Sequence, residues 1–280
     1  MFTASKAGHT GTLDPMATGL LPICFGEATK FSSLLLGAGK TYEATLRLGY
    51  TSTTGDAEGE ISRARGGASE KDLTLLQVNM VLQTFIGAIM QTPPMYSALK
   101  HKGKPMYLYA REGVEVDRPP REILIHELYA EALSNDEMRI VVRCGTGTYV
   151  RTLAEDIGRA LGYGGAYLTA LRRTALRSFS VNDAFTLKAV EKTPLEQRDH
   201  CLLPVDHLAR ELPAVKLSEM AAASLRQGRK VENYASEHSL REDEQVRVYD
   251  QENCFLGLGE VTARREIAPK RLVNPVTPPL

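Results

Sequence analysis

The chain has 280 residues, 43% hydrophobic and 24% charged, with acidic and basic side chains balanced to a net charge of zero. That length supports one large or two smaller packed domains, and the composition excludes a disordered or low-complexity chain. No apolar run approaches the ~20 residues that span a bilayer, so no membrane association is expected. Cys24, Cys144, Cys201 and Cys254 stand singly without a CxxC pair, and the six histidines show no metal-binding spacing. A reduced, cytoplasmic setting and a site without metal follow as expectations. Charge is uneven: seven Arg lie between Arg139 and Arg177 against only Glu155 and Asp156, whereas Glu232 to Glu252 is mostly acidic. A basic middle can carry a footprint for phosphate, although a solvated charged face is the plainer reading.

The first informative stretch is Ala7 to Pro22, which packs three Gly, two Pro and three Thr around His9 and Asp14. Asp14-Pro15 keeps Asp14 out of the α region and presents its carboxylate from a turn. A surface loop with an Asx-turn aspartate explains this composition as well as a loop that aims Asp14 and His9 at a ligand. Glu27 to Leu36 reads as a short helix. Gly39-Lys40-Thr41 resembles the end of a P-loop, but Leu34 stands where that pattern needs Gly, and the reading is rejected. From Tyr42 the period becomes two: Tyr42, Ala44, Leu46 and Leu48 share one strand face. Tyr42 is there either a core residue or a ring facing substrate.

Thr51 to Gly67 reads as an exposed polar loop. Ser69, with Asp72 three residues on, predicts an N-cap for a helix reaching Phe85. Between Met95 and Arg111, Lys100, Lys102, Lys104 and Arg111 interleave with Tyr96, Tyr107 and Tyr109, a mixture that suits phosphates and bases as well as a solvated turn before an amphipathic helix. Arg121–Leu133 and Met138–Cys144 predict a hairpin. Gly145-Thr146-Gly147-Thr148-Tyr149 then leads into a helix from Val150 to Leu161. The dinucleotide fingerprint fails at Val150, but the turn suits an anion, with Arg151 in the first helical turn. Ala166 to Arg177 carries Arg172 and Arg173 on an apolar element, where an Arg usually needs a carboxylate partner. Beyond Glu211-Leu212-Pro213, a helix at Ser218–Gln227 and strands at Gln245–Asp250 and Phe255–Val261 predict a small β-rich module.

Read together, these stretches closely resemble the bacterial tRNA pseudouridine-55 synthases of the TruB type. His9 to Gly19 matches the catalytic motif of that family nearly letter for letter. Tyr42, Met95 to Lys100, Gly147-Thr148-Tyr149-Val150-Arg151 and Leu171-Arg172-Arg173 follow in the family's order. The resemblance implies an α+β catalytic domain with a mixed, mostly antiparallel sheet over residues 1–212, and a PUA-like RNA-binding domain over 213–280. It implies isomerisation of the T-loop uridine at tRNA position 55 without cofactor or metal, with the tRNA T-arm as partner and no obligate protein partner. On it, Asp14 is the catalytic carboxylate, acting as nucleophile on the sugar or as base at C2′. Arg172 pairs with Asp14, Tyr42 stacks on the flipped uracil and takes the C5 proton, His9 helps extrude the base, and Tyr149 and Arg151 line the site.

Two departures stand beside the match. Family members carry about thirty further residues, with a Lys-Pro-x-Gly stretch on a first strand, and their loss would expose a sheet edge and weaken folding or activity. Some relatives also place a Tyr where this chain has Ala170, so an aromatic contact is either missing or supplied by Tyr167. The alternative is therefore an impaired chain that only binds or folds tRNA. A glycosidase reading of Asp14 lacks a second carboxylate in its motif.

Overall fold

The computed structural model describes residues 2, 4–67, 73–134, 136–232, 234–237 and 239–274. In chain order the early elements are β1 (Ala7–His9), β2 (Thr18–Gly19), β3 (Ile23–Phe25), a 3-10 turn at Gly26–Phe31 and α1 (Ser33–Leu36). Then come β4 (Lys40–Leu48), the hairpin β5 (Tyr50–Ser52) and β6 (Ile61–Arg63), α2 (Leu75–Leu82) and β7 (Gly87–Gln91). A short hairpin β8 (Lys100–His101) and β9 (Lys104–Pro105) leads into α3 (Met106–Arg111). The long strands β10 (Arg121–Leu133) and β11 (Glu137–Cys144), helix α4 (Val150–Ala160), and strands β12 (Ala166–Leu176) and β13 (Phe179–Ser180) follow. The remainder holds α5 (Leu187–Lys192), β14 (Ala214–Leu217), α6 (Glu219–Arg226), β15 (Tyr234–Ala235), β16 (Gln245–Tyr249), β17 (Phe255–Val261) and β18 (Ile267–Leu272).

These elements form two compact units, Thr12–Leu21 with Gly37–Ala184, and Met1–Gly11 with Pro22–Leu36 and Phe185–Leu280. In the first, the larger, a sheet runs in the order β13-β12-β4-β11-β10-β7, with antiparallel neighbours throughout and β2 added in parallel to β12. The mixed, mostly antiparallel sheet expected from the sequence is what the structure contains. β4 lies centrally, and its alternation sets the layers: Tyr42, Ala44, Leu46 and Leu48 are buried, while Glu43 faces outward. The same sheet face collects Ile123, Ile125, Met138, Ile140, Val142 and Leu168, and the apolar residues Val78 and Leu82 of α2 and Leu153 and Ile157 of α4 cover it. Truncating one such buried aliphatic side chain costs roughly 2–5 kcal/mol.

The N-cap expected at Ser69, with Asp72, lies outside the described residues. Helix α2 starts instead at Leu75, where Thr74 and Gln77 form a reciprocal capping box. The stretch expected as an exposed loop, Thr51 to Gly67, contains the β5–β6 hairpin, and Asp56 between its strands is 2% exposed. Composition misled here because the Ser, Thr and Asp side chains bond one another. Thr54 Oγ1 donates to Asp56 Oδ1 at 2.5 Å, and Ser52 Oγ donates to the Asp56 carbonyl at 2.5 Å.

In the smaller unit β1 pairs antiparallel with β3, and a five-stranded sheet runs β15-β14-β16-β17-β18. Its core gathers Val215, Leu217, Val246, Val248 and Ile267 under Ala222 and Leu225 of α6. Ser218 caps α6 through the backbone N–H of Ala221.

Candidate active site

The site lies in the larger unit, where the loop bearing Asp14 meets β4, β12 and the start of α4. Asp14 opens a tight turn in which the Ala17 N–H donates to the Asp14 carbonyl at 2.8 Å, with Pro15 pre-set for the second position. The downstream end of the loop is then a strand: Gly19 pairs in parallel with Arg173, and the Leu20 N–H donates to the Arg173 carbonyl at 2.8 Å. Gly19 has φ +97°, and a Cβ there would fall 2.2 Å from the Arg173 carbonyl oxygen. Glycine is required for this close approach.

The partner of Asp14 is Arg151. Its Nη2 donates to Asp14 Oδ1 at 3.1 Å, and its Nε stands 3.0 Å from Oδ2, off the hydrogen-bonding direction. The guanidinium also donates from Nη2 to the Tyr96 carbonyl at 2.9 Å and from Nη1 to the Thr54 carbonyl at 3.0 Å. Asp56 Oδ2 is 3.8 Å from Nη1. The Arg151 side chain is 6% exposed and that of Asp56 3%, whereas Asp14 keeps 33% of its surface open to an incoming molecule. A buried cation is stable only when opposite charge and acceptors surround it, and this one is ringed by two carboxylates and two carbonyls, with Nε alone off the hydrogen-bonding direction. Gly55 (φ +79°) lets the β5–β6 connection lie against the helix, since a Cβ there would sit 3.1 Å from the Arg151 Cβ.

The pairing expected of Arg172 with Asp14 is corrected by this geometry. Strand alternation points Arg172 to the exposed side of β12, where its Nη1 lies 3.4 Å from Thr18 Oγ1. Arg173 takes the interior face and is fully buried, with its Nε donating to the Leu20 carbonyl at 2.7 Å. The pairing of β12 with β4 shifts register between Arg173 and Ala175, a bulge of the sort that re-aims side chains beside active sites.

Tyr42 is the cross-strand partner of Arg173 on the same buried face and is 9% exposed. Burial pushes its phenol up from the ordinary tyrosine range. The Arg173 guanidinium, in Coulombic and hydrogen-bonding reach, draws it down, and Cys144 and Asp14 add to the rise. Tyr149 caps α4. Its N–H donates to Gln91 Oε1 at 2.8 Å, and Gln91 Nε2 donates to its carbonyl at 3.1 Å. Burial raises the Tyr149 phenol, against the Ser97 hydroxyl, Arg151 and Arg121, while Asp14 adds to the rise.

Asp14, Tyr42, Tyr149 and Arg151 therefore converge. His9 belongs to the smaller unit, at the end of β1 opposite Ile23, and its Nδ1 accepts from the Gly11 N–H at 3.4 Å. The basic, Tyr-rich stretch uses part of its chemistry internally: Lys104 sits over the Tyr109 ring at 4.6 Å and pairs with Glu112 at 2.6 Å. Asp56 and Gln91 are the site-building residues that the sequence reading missed, and Arg173 was noted on its apolar strand without a role in the site. The glycine punctuation around Asp56 was the only local signal for it. Among the described residues no group of three or more His, Cys, Asp or Glu could hold a metal ion, and no helix is long and apolar enough to cross a membrane.

A carboxylate paired with arginine beside a buried tyrosine suits chemistry on a sugar–base bond. Comparison with known proteins agrees. Residues 1–150 match the TruB family pseudouridylate synthase N-terminal domain. Residues 151–210 match the tRNA pseudouridylate synthase B C-terminal domain, and residues 213–273 match the C-terminal module described as pseudouridine synthase II TruB. The chain is 62% identical to the tRNA pseudouridine synthase B of Nitrosospira multiformis over 98% of this chain and 88% of that one. It is 53% identical to that of Nitrosomonas europaea, over 98% and 89%. The chain belongs to the TruB family of pseudouridylate synthases. Among solved structures, a Cbf5–Nop10–Gar1 complex matches with TM-score 0.69 at 24% identity, over 96% of this chain and 77% of that one. An H/ACA RNP bound to a substrate RNA containing 2′-deoxyuridine matches with TM-score 0.69 at 21% identity, over 97% and 77%. At these identities the likeness is one of fold.

Proposed function

We propose that Asp14 carries the chemistry of this synthase, the isomerisation of uridine 55 in the T-loop of tRNA to pseudouridine. The C1′–N1 bond must break, the uracil must turn, and C1′ must rejoin at C5. A stacked base is out of reach of any side chain, so the uridine leaves the stack first. Asp14 is held by its contact with Arg151 and keeps one side open. It attacks C1′ or takes a proton at C2′ while the base departs. Tyr42 stacks on the released uracil, which keeps the base from diffusing away during its turn, and Tyr149 closes the wall opposite Ser97. The single observation that carries this reading is the ion pair of Arg151 with Asp14 within one helical turn of Tyr149.

His9 assists extrusion of the base, and the β-rich segment 213–280 supplies further contacts to tRNA. The T-arm is the recognised part of the substrate, and the reaction takes place in the cytoplasm. The test is release of tritium from C5-labelled uridine in a T-arm stem-loop. Asp14→Asn is expected to abolish release while leaving RNA binding within about twofold, because a neutral isostere removes the charge but not the shape. Undiminished release from that variant would overturn the reading.

A further inference from the structure

Arg173 is the one basic residue of the Leu171-Arg172-Arg173 run that is fully buried, and it touches both halves of the site. Its backbone carbonyl accepts from the Leu20 N–H, its Nε donates to the Leu20 carbonyl, and Gly19 is its parallel strand partner. Across the sheet its register partner is Tyr42, whose hydroxyl lies in reach of the guanidinium. The loop that carries Asp14 and the ring that meets uracil are thus joined through one side chain.

The charged and titratable groups around Tyr42 come from three neighbouring elements and its own. Arg173 approaches from β12, Cys144 from β11 and Asp14 from the catalytic loop. Lys40, two residues upstream on β4, interacts with Cys144 and Arg173. Cys144 is a neutral thiol near neutrality, since burial pushes it up to about 11. The charge of Asp14 is met by Arg151. Arg173 is the group that favours negative charge on the Tyr42 oxygen.

We propose that Arg173 is a positioning residue for Tyr42, holding the phenol oxygen against the catalytic loop and stabilising the negative charge on that oxygen before it takes the C5 proton. This rests on the reading of Tyr42 as the group that meets the flipped uracil. Once C1′ has bonded to C5, that carbon carries both hydrogen and sugar. The Tyr42 phenolate takes the hydrogen as a proton, and the C5–H electron pair becomes the C5–C6 double bond. The N1–C6 pair moves onto N1, which takes a proton from water. The phenol returns its own proton to water, and none is gained or lost overall.

The experiment compares wild type, Arg173→Met and Arg173→Lys, each with Tyr42 and with Tyr42→Phe. Tyrosinate absorbance is titrated, and the Tyr42 signal is isolated by subtracting the matching Tyr42→Phe chain. Single-turnover rates on the T-arm are measured across pH, with RNA affinity as a control. Arg173→Met should move the Tyr42 titration up by about one pH unit or more, and slow turnover at neutral pH about tenfold, since one unit is a tenfold change in phenolate fraction. The deficit should shrink as pH rises, Arg173→Lys should fall between, and RNA affinity should hold. In the Tyr42→Phe background, Arg173→Met should add nothing. An unshifted titration overturns the proposal, as does a pH-independent loss that persists without the tyrosine hydroxyl. If Arg173→Met does not fold, the Arg173→Lys titration decides alone. Failure of the wild type to form pseudouridine would sink the proposed function instead, and the titration would still read the coupling.

Discussion

Arg151 meets Asp14 side-on, with Nε 3.0 Å from one carboxylate oxygen and Nη2 3.1 Å from the other, while Asp56 stands 3.8 Å from Nη1. One cation therefore serves an open carboxylate and a buried one. This arrangement orders the expected effects of substitution.

Arg151→Met should be the most damaging change outside Asp14 itself. It leaves Asp56 buried without its cation and Asp14 without a guide, and uncompensated buried charge costs roughly 3–5 kcal/mol. Thermal unfolding should shift down accordingly, and single-turnover rate should fall about a hundredfold or more. Arg151→Lys keeps the charge but not the planar fork, so it should recover stability better than rate. Equal recovery of both would contradict the geometric role given to the fork.

Asp56→Asn preserves an acceptor for Thr54 Oγ1 and the Glu58 N–H while removing the charge near Arg151. The expected result is a rate reduced about tenfold with a small change in stability, roughly 1 kcal/mol. Asp56→Ala strips the acceptor as well and should unfold distinctly earlier. Chemical denaturation of the two variants, run beside single-turnover assays, separates charge from hydrogen bonding.

Gly19→Ala forces a Cβ into a space 2.2 Å from the Arg173 carbonyl and onto a φ of +97°. A loss of roughly 2–4 kcal/mol is expected, together with loss of activity as the loop leaves β12. Gly8→Ala is the control, because its nearest neighbour would be Thr29 Cγ2 at 3.9 Å, and it should stay within about 0.5 kcal/mol of wild type. Equal stability of the two variants would refute the strand-like account of the loop.

In the smaller unit, the Tyr249 hydroxyl donates to Asp206 at 2.7 Å, and burial followed by that carboxylate pushes the phenol up to about 12. A phenol that holds its proton more tightly when folded stabilises the protein below the unfolded value near 10. That contribution fades as pH rises from about 10 through about 12. Melting temperature should therefore decline across this window more steeply for wild type than for Tyr249→Phe. Parallel declines would remove Tyr249 from the alkaline response.

Much of the larger unit was legible from residue pattern. Period-two alternation gave β4 and its buried face, the hairpin β10–β11 followed from β-rich runs around a polar turn, and α4 followed from its glycine-punctuated start. Asp14 stood out because its loop has an unusual composition, whereas the alternation left Tyr42 open between core and substrate, and only the resemblance implied its role. What stayed hidden were relations between distant segments. Arg172 and Arg173 are chemically identical neighbours, and only the pleat and a bulge at Thr174 decide which one enters the core. Asp56 looked like solvent-exposed loop because its hydrogen bonds run to Thr54 and Glu58, and its burial depends on a helix nearly a hundred positions later. The N-cap of α2 came five residues after the first plausible one, since Ser69 and Thr74 present similar signals. Gln91 carried no local signal at all, because its value lies in matching the donor and acceptor of Tyr149.

The parallel step between Gly19 and Arg173 makes the catalytic loop an inheritor of sheet register. Slide β12 by a single position and three things change together: which arginine enters the interior, which residue opposes Tyr42, and where the loop with Asp14 is pinned. A one-residue deletion between Leu171 and Ala175 should therefore be worse than any single substitution there. The reacting carboxylate and the ring that receives the base share one alignment, so neither can be retuned by sliding this strand without displacing the other.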